Sequence, residues 1–87
     1  MPRDIDLIIE QLTARLPGVR VTQLQVAHPG ADDDGLWFVS MPGRAATVQI
    51  ESSQGSCPFL IESDFSTSHG RTVDEVVEIV SGLIRGA

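Results

Sequence analysis

Cys57, Asp64 and His69 are the residues of this chain that together offer a nucleophile, an orienting acid and a base. A cysteine of this kind attacks as thiolate. It needs a histidine within hydrogen-bond reach to take its proton, and a carboxylate to hold the imidazole. Nothing in the spacing around Cys57 matches a cysteine-enzyme signature. Each residue also has an ordinary role: a small half-buried thiol, an aspartate binding its own turn, and a surface imidazole. The expectation is therefore a chain without catalytic residues. A small enzyme or metal-binding protein built on Cys57, His69 and Asp64 is the competing reading.

Asp32, Asp33 and Asp34, followed by Gly35, invite comparison with a calcium loop. Such a loop alternates its oxygen ligands, places glycine at the sixth position and ends on a distant glutamate. Here the aspartates are consecutive and Gly30 stands where the first ligand belongs, so a solvated connection is expected. His28 and His69 lie too far apart in sequence to carry a ligand-spacing signal. The Ser/Gly stretches at 52–56 and 63–70 lack the Gly-Lys-Ser/Thr of a phosphate loop. No metal and no cofactor is expected.

The chain has 87 residues and a net charge of −6, with Arg3, Arg15, Arg20, Arg44, Arg71 and Arg85 as its cations. Its length points to one domain spanning 1–87. Its hydrophobic fraction of 41% is that of a globular protein. The arginines do not cluster, so neither nucleic acid nor an anionic membrane surface is an expected partner. No apolar run approaches the roughly 20 residues of a membrane helix. Met1–Asp6 lacks a cationic start and a long apolar block, and Cys57 is the only cysteine. Both features favour a reducing, cytoplasmic setting.

Helical spacing of Ile5, Ile8, Ile9, Leu12 and Leu16 predicts a first helix. Asp4 is its expected N-cap, and Pro17-Gly18 stops it. A strand is predicted over Val19–Ala27; its alternation changes phase near Thr22-Gln23, which a bulge there or a later start of the register would reconcile. Leu36–Ser40 reads as a strand apolar on both faces. Met41–Arg44 then reads as a type II turn. Ala46, Val48 and Ile50 alternate with Thr47, Gln49 and Glu51 in a third strand, and Pro58–Glu62 forms a fourth. Ser63–Arg71 is expected to be a polar loop. Thr72–Glu75 has the capping-box pattern for a second helix, with Val73, Val76, Val77, Val80, Leu83 and Ile84 on its apolar face. The expected fold class is α+β: a two-layer sandwich, α-β-β-β-β-α, with an antiparallel meander sheet and both helices on one face.

The α-β-β-β-α portion of this order resembles the double-stranded RNA-binding domain in topology. That family binds RNA through basic residues at the start of its second helix. The matching positions here, Thr72–Val77, include Asp74 and Glu75, which would repel phosphate. In size and charge the chain is similar to small acidic secretion chaperones and bacteriocin-type immunity proteins, a likeness without a motif. The expected function is a non-catalytic protein-interaction module. Its partner would be a second copy, giving a homodimer, or a basic protein for which this chain is inhibitor, immunity protein or chaperone. One of Trp37 and Phe38 must leave the helix-covered face, and Trp37 and Val39 are expected on the face away from the helices as the apolar contact. Asp32, Asp33, Asp34, Asp74, Glu75 and Glu78 are expected to make the electrostatic contacts.

Overall fold

Ile5, Ile8 and Leu12 recur one helical turn apart and are fully buried, forming the inner face of α1 (Asp4–Arg15). A computed structural model of the chain describes residues 3–24, 35–52 and 54–86. After α1 come β1 (Arg20–Gln23), β2 (Leu36–Ser40), β3 (Thr47–Glu51), β4 (Phe59–Glu62), β5 (Thr67–Gly70) and α2 (Val73–Arg85). The strands form one antiparallel meander in the order β1-β2-β3-β4-β5. The helices and the strands' inward side chains share one core cluster, so both helices lie on the same sheet face. The two-layer α+β sandwich is thus the observed architecture.

The sheet has one strand more than the sequence reading gives. β5 lies inside the segment expected to be a polar loop, and its Thr67, Ser68 and His69 show no apolar alternation. An edge strand bonds to one neighbour only, here β4, so its ladder forms without an apolar face. The extra strand also reverses the direction of α2. Both helix N-termini now lie at one end: the Ile5 amide donates to the Gly55 carbonyl, and the Asp4 carboxylate accepts from the Cys57 amide beside Glu75. Both C-termini lie at the other end, where the Arg85 guanidinium donates to the Arg15 carbonyl and Arg44 donates to the Arg85 carbonyl. Side-by-side parallel helices repel through their dipoles. Asp4, Asp6, Asp74 and Glu75 in the first turns and Arg15 and Arg85 in the last offset this.

Local signals are met with small shifts. The N-cap of α1 is Arg3, one residue before Asp4, and its amide donates to the Asp6 carboxylate at 2.9 Å. Thr72 caps α2 by accepting from the Glu75 amide at 3.1 Å. Glu75 in return accepts from the Arg71 amide, filling the field that an anion would otherwise occupy. The Met41–Arg44 turn closes with a 3.0 Å hydrogen bond, and Gly43 takes the positive φ of 82° that a type II turn requires. Neither a bulge at Thr22-Gln23 nor a late start is found among the described residues, and residues 25–27 of the predicted strand lie outside them. β1 pairs with β2 in unbroken register, and Leu24 continues the ladder by donating to the Leu36 carbonyl at 2.8 Å. Val21 faces the helices, while Thr22 and Leu24 face away.

Candidate functional site

Cys57 precedes β4, on the helix side, packed against the core cluster. Its amide donates to the Asp4 carboxylate at 2.8 Å. Burial, then the charge of Asp4, a thiol hydrogen bond to Asp4 and the charge of Glu75 push the thiol from its ordinary 9.0 up to about 11. Asp64 lies beyond the other end of β4, and His69 pairs with Leu60 on the face turned away from the helices. The structure therefore does not bring the three together. Among the described residues no group of His, Cys, Asp and Glu is placed to hold a metal ion. His28, Asp32, Asp33 and Asp34 lie outside the described residues.

An inert thiol has two measurable consequences. At pH 8 a shift from 9.0 to about 11 leaves about a hundredfold less thiolate than an ordinary cysteine carries, so alkylation should be correspondingly slow. Asp4→Asn should speed it. A thiol titrating at or below its ordinary range would contradict this geometry. The stability linkage has a definite sign. As pH rises the unfolded chain loses its thiol proton first, so the contribution is complete below pH 9.0 and is lost between there and about 11.

The sheet face opposite the helices is where apolar and charged groups meet without cover from any described element. Reading across the strands, Leu36 stands opposite Glu51, Glu51 opposite Leu60, and Leu60 opposite His69. The adjacent row runs Thr22, Phe38, Gln49, Glu62 and Thr67. Neighbouring strands are about 4.8 Å apart, so side chains within a row touch. Leu24, 38% exposed, joins Leu36 and Phe38 in an apolar corner over β1 and β2. Leu36, Phe38 and Leu60 are half-buried, whereas Gln49, Glu51 and Glu62 are exposed. This face therefore mixes an apolar corner with the carboxylates of Glu51 and Glu62 and, at its β1 end, the guanidinium of Arg20.

Trp37 and Val39 are not part of it. They are 3% and 0% exposed, beneath the helices. Their register partners are Ile50 and Val48, the inward residues of β3, and the Trp37 ring meets Phe59 edge-on with centroids 6.3 Å apart. The aromatic left facing outward on β2 is Phe38. The acidic set also divides. Asp74, Glu75 and Glu78 belong to the helix layer, where Glu75 caps α2 and Glu78 pairs with Arg15. The charges beside the apolar corner are Glu51 and Glu62, with Arg20 on the same face of β1, two residues from Thr22. No protein-family model, curated protein or solved structure matches this chain.

Proposed function

We propose that this chain is a non-catalytic protein-interaction module that binds a basic partner through the open face of its sheet. The observation that carries this reading is Phe38, with Leu24, Leu36 and Leu60, on a face no described element covers, beside Glu51 and Glu62. An apolar corner rimmed by carboxylates favours a surface that is apolar at its centre and cationic at its edge. The net charge of −6 steers such a partner in. An inhibitor, immunity protein or chaperone of a basic protein is the form this takes. Retention of a lone thiol fits the cytoplasm. No helix among the described residues is long and apolar enough to cross a membrane.

Affinity capture from the source cell with the wild-type chain and with Phe38→Ser tests this reading. The expected result is a basic protein held by the wild type, released as salt rises, and lost with Phe38→Ser. Identical captures by the two chains would overturn it.

A further inference from the structure

A second surface, at the end of the molecule where both helices finish, carries a groove and a projecting ring side by side. The groove has a volume of about 430 Å³ and is walled by Ala45, Ala46, Gly82, Leu83 and the Ser63–Phe65 turn. Gly82 lends only backbone to this wall, and a Cβ built there meets nothing within 4 Å. A glycine in a helix interior weakens the helix, and no packing at this position requires it.

Phe65 stands on the rim and is 94% exposed. Its turn is ordered. The Ser63 hydroxyl accepts from the Phe65 amide at 3.3 Å and the Ser66 amide at 3.2 Å, and the Ser63 amide donates to the Ser66 carbonyl at 2.9 Å. The ring is thus presented to solvent from a closed turn, so burying it orders the side chain but little further backbone.

We infer that this end is a self-association surface, in which Phe65 of each copy enters the groove of the other. A patch carrying both the ring and the recess that fits it is self-complementary, as a two-fold contact requires. A cavity of roughly 150 Å³ already holds a benzene ring, so the groove accommodates a phenyl group. The charges agree. Asp64 lines the groove, and Arg44 donates to the Arg85 carbonyl, next to the groove's Gly86. A two-fold contact at this end sets the aspartate of one copy near Arg44 of the other. Elsewhere an acidic chain repels its copy, but this end carries both signs. The contact is small, so the dimer is weak and concentration-dependent. This inference concerns a different surface from the open sheet face and stands apart from the binding proposed there.

Sedimentation equilibrium of the full chain, from low micromolar to several hundred micromolar, is the test. The wild type should pass from monomer to dimer. Phe65→Ser and Gly82→Met should each weaken the dimer about tenfold or more, with circular dichroism showing an intact fold. Phe38→Ser should leave the dimer unchanged. A wild-type monomer throughout would overturn the inference, as would a dimer indifferent to either Phe65→Ser or Gly82→Met. A dimer lost with Phe38→Ser alone would do the same, by assigning self-association to the sheet face.

Discussion

Trp37→Ala is expected to destabilise the chain by about 3–5 kcal/mol, while Phe38→Ser costs it little. The two residues are neighbours on β2, and their side chains point to opposite faces. Trp37 is 3% exposed and packs on Phe59 under both helices. Truncating a buried tryptophan costs about 3–5 kcal/mol. A domain of 87 residues has about 4–13 kcal/mol of stability in total, so the loss is a large share of it. Phe38 faces outward and loses only its half-buried contacts with its neighbours, about 1 kcal/mol. Urea denaturation monitored by circular dichroism separates the two cases. A mild Trp37→Ala and a severe Phe38→Ser would mean that the sheet presents its other face to the helices.

Gly70→Ala should be nearly as damaging, although it adds a single methyl group. Gly70 ends β5 opposite Phe59 and is buried. A Cβ there would lie 2.4 Å from Val76 Cγ2, 3.1 Å from Val76 Cα and 3.2 Å from Ile61 Cδ1. A side-chain methyl can rotate away, but the Val76 backbone can move only if α2 shifts. The absence of a side chain at Gly70 is what lets α2 settle on the sheet. Overpacking of this kind costs about 1–3 kcal/mol. At about 4–8 °C per kcal/mol for a domain of this size, the melting temperature should fall by roughly 4–24 °C. Calorimetry measures it. Val76→Ala introduced together with Gly70→Ala should recover part of the loss, because the two sites share the clash. An unchanged melting temperature would mean that the helix does not sit this close to β5.

Both helices, the central strands and the two-layer arrangement were legible because each rests on a local signal. The 3.6-residue apolar stripes define the helices. The alternation of Ala46, Val48 and Ile50 defines β3, and Pro42-Gly43 defines the turn before it. β5 was illegible because an edge strand bonds through its backbone and needs no apolar side chains. Its omission hid the direction of α2. The face of β2 was legible in principle. Any antiparallel register around the Met41–Arg44 turn that pairs odd positions of β2 with even positions of β3 sends Trp37 and Val39 inward with Val48 and Ile50, and the observed register does so. Phe38 follows as the outward aromatic. Leu60 and Glu62 on β4 follow by the same parity once β3 is oriented. Phe65 and Gly82 carried no such signal. An exposed ring in a polar turn and a glycine in a helix acquire meaning only when the fold sets them side by side.

The central claim is that this chain acts through its open sheet face and not through its thiol. The most direct measurement is a calorimetric titration of the captured basic partner with the wild-type chain, Phe38→Ser and Cys57→Ser. The account predicts that Phe38→Ser weakens binding by about tenfold or more, while Cys57→Ser binds as the wild type does. Binding that survives Phe38→Ser and is lost with Cys57→Ser would contradict it.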